Sequence, residues 1–144
     1  MNYDEALTAS QDDDWRQRYE AAEVLGEYTD DSAYTIMLQL LIDWENTGVT
    51  LRAAQSLVGR GDLYGATLAF SGLALAIEQS GHHILWEIHS GWYENRFDVE
   101  LFSEQILAGE NSVAKYGVRQ YLNWHDIYRP KDEVTLNWYR EHRT

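Results

Sequence analysis

The chain has 144 residues, one proline, no cysteine and a formal net charge of −13. That length suits one domain with a real core, and the lack of cysteine excludes disulfides and thiolate metal sites. A field of this sign repels nucleic acid and anionic membrane and speeds encounter with a basic protein, so neither a nucleic-acid partner nor membrane association is expected.

Residues 1–11 read as a loose lead-in. Asp12, Asp13 and Asp14 then offer an N-cap and favourable charge for a helix over about 14–28, with Tyr19, Ala22, Val24 and Leu25 inward. Thr29, Asp30 and Asp31 turn the chain and cap a second helix over 32–46, whose apolar face is Tyr34, Met37, Leu38 and Leu41. Gly48 suits the left-handed position after that helix. A third helix covers 50–58 and breaks at Gly59-Arg60-Gly61. The fourth, over 62–79, lacks charge between its ends and is expected to be the most buried element, closed by Gly81. Further helices are expected over 83–92, over 99–107 (capped by Asp98, stopped by Gly109), over 112–124, and over 132–142 after Pro130.

Two of these segments echo each other at a spacing of thirty-two residues. Ala21-Ala22 aligns with Ala53-Ala54, Leu25 with Leu57, and Asp30 with Asp62. A fixed period of that size, built of two helices, marks a solenoid repeat. Large side chains, six of them Trp, are expected to fill a small curved core.

Residues 18–41 resemble a HEAT repeat of the short type found in phycobilisome-lyase-like proteins, through Ala21, Ala22, Leu25, Gly26, Asp30, Ala33, Met37 and Leu41. The second copy, 51–73, follows the pattern with Val58 in place of the glycine. The resemblance implies an all-α fold, a short HEAT-like α-solenoid of about four antiparallel helix pairs forming one domain over 1–144. Small acidic HEAT-like chains also resemble immunity proteins of bacterial toxin–immunity systems. That implies an inhibitor which neutralises a nuclease toxin by covering the basic surface that holds its phosphate backbone. A general HEAT-like scaffold or adaptor is the alternative.

Sites for chemistry are sparse. His83 and Glu87 stand four apart and could face one ion, but His89 lies off that face, so His82, His83, Glu87 and His89 read as a helix start and a solvated face. Arg60-Gly61-Asp62 reads as a turn. His125-Asp126 has no nucleophile to serve. No catalytic residue, metal or cofactor is expected. The 1–5 segment lacks the pattern of a signal peptide, and the longest uncharged run, 63–77, is too short to span a bilayer, so the expected location is cytoplasmic.

Charge is the remaining signal. Residues 1–50 hold twelve acids against Arg16 and Arg18 alone, whereas residues 101–144 are balanced. In a HEAT-like stack the second helix of each pair lines the concave surface. With the apolar faces inward, Gln39, Asp43, Asn46, Ser71, Glu78, Glu100 and Glu104 point outward. Gln39, Asp43, Glu78, Glu100 and Glu104 are therefore the expected contacts to a basic protein, a nuclease toxin domain in the immunity reading. Asp4, Asp12, Asp13 and Asp14 are expected to contribute less.

Overall fold

The computed structural model describes the backbone of residues 1–128 and the side chains of residues 1–124 apart from Glu78. Over those residues the chain is all-α, with eight helices and no strand. They are α1 (Tyr3–Ala9), α2 (Trp15–Leu25), α3 (Asp31–Leu41), α4 (Thr47–Gly59), α5 (Leu63–Leu75), α6 (Glu78–Tyr93), α7 (Val99–Ala108) and α8 (Ser112–Tyr128). The helix expected over 132–142 lies outside the described residues, as do the side chains of His125 and Asp126.

Aspartate caps set four of the eight helix starts. Asp14, Asp30, Asp62 and Asp98 precede α2, α3, α5 and α7, and each side chain accepts a hydrogen bond from a first-turn N–H that the helix itself leaves unpaired. The Tyr3 hydroxyl donates to Asp30, which holds that carboxyl below the usual range. Burial alone would raise the Asp62 carboxyl, but hydrogen bonds from the Gly65 N–H and Arg60 hold it low. A depressed carboxyl stabilises the fold above its unfolded pKa, and that stability is lost as pH falls through the depressed folded value. Urea midpoints are therefore expected to fall as pH drops below the usual carboxylate value of 3.8. An Asp30→Asn, Asp62→Asn variant, which keeps both caps, should show a shallower loss over that range; an equally steep one would count against these two groups.

The echo in the sequence has a structural counterpart. Ala21, Ala22 and Leu25 on α2 and Ala53, Ala54 and Leu57 on α4 are all fully buried, and α2 packs on α4. Helices also pack next-but-one elsewhere, α4 on α6 and α3 on α5, while α4 packs on its neighbour α5. From Gly65 to Leu73 every residue of α5 except Thr67 is buried, so the helix without charge is indeed the central element. Phe70 from α5 and Tyr121 from α8 meet edge to face at 6.0 Å within this core.

Three expectations are corrected. Residues 1–11 are not a loose lead-in: Asn2 and Glu5 form a capping box around α1. Ala6 and Ala9 are buried, α1 packs on α2, and the Tyr3 ring sits 4.7 Å from Tyr28. Gly48 is no helix stop, because α3 already ends at Leu41 and Asn46 caps α4, accepting from the Gly48 N–H at 2.8 Å. The 62–79 helix is two helices: Ala76 and Ile77 are extended, so Glu78 opens α6 and Gly81 lies inside it. Beyond these corrections, α8 is the main partner of α5.

Gly117 makes that last packing possible. A Cβ there would stand 1.8 Å from the Phe70 carbonyl oxygen, a backbone atom that no rotamer change can move. Gly117→Ala is therefore expected to destabilise by about 2–3 kcal/mol, overpacking outweighing the usual helix gain of about 1 kcal/mol. A neutral or raised melting temperature would contradict the close α5–α8 approach.

Candidate functional site

The strongest polar construction sits where the α1–α2 and α3–α4 loops meet. On α2, Arg18 recurs with Ala21, Ala22 and Leu25 on the buried face, so it takes the inward place expected for Tyr19, which is exposed. Arg18 is 8% exposed and Asp43 9%. The Arg18 Nε donates to Asp43 Oδ2 at 2.7 Å, and Nη2 to Oδ1 at 3.4 Å. The remaining donors serve the α1–α2 loop, with Nη1 reaching the carbonyls of Asp12 and Asp13 at 2.9 and 3.0 Å. The hydrogen bond to Asp43 raises the already high Arg18 pKa further, so the guanidinium is charged at any working pH.

Asp43 is saturated in turn. Its Oδ1 accepts from the N–H groups of Glu45 and Asn46 at 3.1 and 2.9 Å. Its carbonyl accepts from the hydroxyls of Thr50 on α4 and Ser80 on α6, both at 3.3 Å. The outward position expected for Asp43 is thus corrected. It lies beyond the end of α3, where the chain folds back, and it fixes the loop instead of facing a partner.

Above this pair is a hollow of about 340 Å³, lined among others by Gln39, Asp12, Asp13, Trp44 and Glu45. Gln39 is exposed, as expected, and its Oε1 accepts from Gln11 at 3.5 Å. Glu45 Oε2 lies 3.8 Å from Arg18 Nη2 with its side chain more than half exposed. Asp12 and Asp13, expected to matter less, stand on this rim because α1 and its loop are folded against α2. Trp44 is 76% exposed.

The other expected contacts do not join this hollow. Glu100 and Glu104 are neighbours one turn apart on α7, Glu100 half-buried and Glu104 exposed. Glu100 lines a separate hollow with Trp92, Asn95, Phe97 and Asp98. Glu78 is the first residue of α6. Ser71, expected outward, is buried at the centre of α5 with no hydrogen-bond partner for its Oγ.

The solvated face expected of the histidine segment is corrected at His89, which is buried. His89 is 5% exposed, with the rings of Trp124, Trp86, Tyr93 and Trp92 at 5.3–6.3 Å. Its Nδ1 is 3.4 Å from the Tyr121 hydroxyl, whose pKa is pushed up by burial. Burial likewise raises the Glu87 carboxyl. Among the described residues no three His, Asp or Glu side chains are grouped to hold a metal ion, and no helix is long and apolar enough to cross a membrane. Comparison with protein-family models, curated proteins and solved structures finds no match to this chain.

Sequence reasoning missed Arg18 and Trp44. The signal for Arg18 was its rarity, one of two bases against twelve acids in residues 1–50. Trp44 gave none, because an aromatic residue near a helix end reads as core.

Proposed function

We infer that this chain is a protein-binding inhibitor, an immunity-type protein that neutralises a basic nuclease-type toxin by covering its phosphate-binding surface. The observation that carries this reading is the hollow over Arg18–Asp43. The buried pair cancels its own charge and, with Glu45 only 3.8 Å from the already paired Arg18, leaves a net negative rim of Asp12, Asp13 and Glu45 around an exposed tryptophan. Surfaces that serve only solubility mix both signs, whereas one sign steers a partner of the other. The short HEAT-like α-solenoid of antiparallel pairs belongs to the same reading, supported by the equivalent burial of Ala21-Ala22 and Ala53-Ala54 and by the matched caps Asp30 and Asp62. Asp43 serves the surface from beneath; Gln39, Asp12, Asp13 and Glu45 face the partner, with Glu100 and Glu104 as a second acidic patch. A fold alone fixes no function, so the test is biological. Each reading frame flanking the gene is expressed alone and with this chain. Rescue of growth from a toxic basic product is the expected result. A stable complex without rescue would favour the scaffold reading, and neither complex nor toxicity would overturn inhibition.

A further inference from the structure

Trp44 gives the hollow a chemical preference. It is among the most exposed large apolar side chains described, and no ring or cation of the described residues lies over it. Its loop is not free to bury it. Asp43 grips the N–H groups of Glu45 and Asn46 on one side, and its carbonyl is held by Thr50 and Ser80 on the other. The indole is therefore presented by a pre-organised segment, which lowers the ordering cost of binding. Leu40 and Ile42 add apolar wall, and Asp12, Asp13 and Glu45 add three carboxylates at the rim.

An occupant must satisfy both halves. A simple apolar side chain would desolvate the carboxylates without pairing them. A lysine ammonium pairs with carboxylate but holds its water and stacks poorly. A guanidinium is planar and weakly hydrated: its face lies on an indole while its edge N–H groups reach carboxylates. This chain already stacks arginine in that way twice, Arg16 over Trp15 at 5.0 Å and Arg60 over Tyr64 at 4.7 Å. We propose that the Trp44 hollow docks an arginine-bearing segment of the basic partner, guanidinium on the indole and edge toward Glu45 and the Asp12–Asp13 rim. This deepens the inhibitor reading and rests on it. Lysine-only basic surfaces are then the wrong partners.

Two capped peptides of equal charge, hexa-arginine and hexa-lysine, serve as probes. Binding is followed by the NMR shift of the Trp44 indole N–H (assigned by its loss in Trp44→Leu) and by calorimetry at about 150 mM salt, where long-range attraction is largely screened. Hexa-arginine is expected to bind about fivefold or more tighter than hexa-lysine. Trp44→Ala should weaken hexa-arginine about tenfold and abolish the preference. Glu45→Gln should weaken both peptides. Trp44 is exposed enough that its variants keep the helical circular dichroism of the parent, which is checked first. Equal binding of the two peptides, or a Trp44→Ala variant that binds hexa-arginine like the parent, overturns the subsite while the basic-partner reading stands. Failure of both peptides to bind even at about 20 mM salt overturns that reading as well.

Discussion

Arg18→Ala is expected to destabilise the chain by about 3–5 kcal/mol, seen as a large drop in urea midpoint. The cost does not come from the attraction between Arg18 and Asp43 alone. Removing the guanidinium strands a carboxylate that is 9% exposed and leaves the carbonyls of Asp12 and Asp13 without their donor. It also releases the α1–α2 loop from the α3–α4 loop. Desolvation was met when the pair was buried, so a single truncation exposes the penalty while a matched replacement avoids it. The double variant Arg18→Met, Asp43→Leu should accordingly cost less than the two single changes added together. Strict additivity, or an Arg18→Ala loss below about 1 kcal/mol, would mean the pair behaves as an exposed salt bridge.

Leu57→Ala and Leu41→Ala are expected to cost about 2–5 kcal/mol each, from lost burial and the cavity left behind. Both side chains are fully buried. Leu57 lies on α4, which packs against α2, α3, α5 and α6, and Leu41 closes α3 against Gly72 of α5. Gln39, two residues before Leu41, is exposed, and Gln39→Ala should stay within about 0.5 kcal/mol. The reverse order of midpoints would refute the helix faces described here.

The interior was the most legible part of the chain. Ala22, Leu25, Met37 and Leu41 were placed inward by helical spacing, and all are buried. Caps were legible too, since an aspartate before an apolar run has a local physical role. What the sequence hid depends on contacts distant along the chain. The α1 helix needs Tyr3 to meet Tyr28 and Asp30, and α8 reaches α5 only because Gly117 lets it approach Phe70. The break at Ala76–Ile77 has no glycine or proline to announce it. Of the expected contact residues, Gln39 at the hollow and Glu104 away from it are exposed, as read from helical periodicity. Asp43 was misplaced because α3 ends two residues before it, and beyond a helix the periodicity carries no information. Ser71 was misplaced because α5 is buried all round, so it has no outward face to assign.

The acidic surface as a steering surface for a basic partner is the central claim, and the salt dependence of association tests it most directly. The proposed basic partner, once identified by co-expression, is mixed with this chain in stopped flow, from about 50 to about 500 mM salt, a range over which the screening length shortens severalfold. The on-rate is expected to fall markedly while the off-rate changes less. Asp12→Asn, Asp13→Asn and Glu45→Gln together should slow association at low salt and flatten its salt dependence. An on-rate that ignores salt, or a triple variant that associates like the parent, would contradict the account.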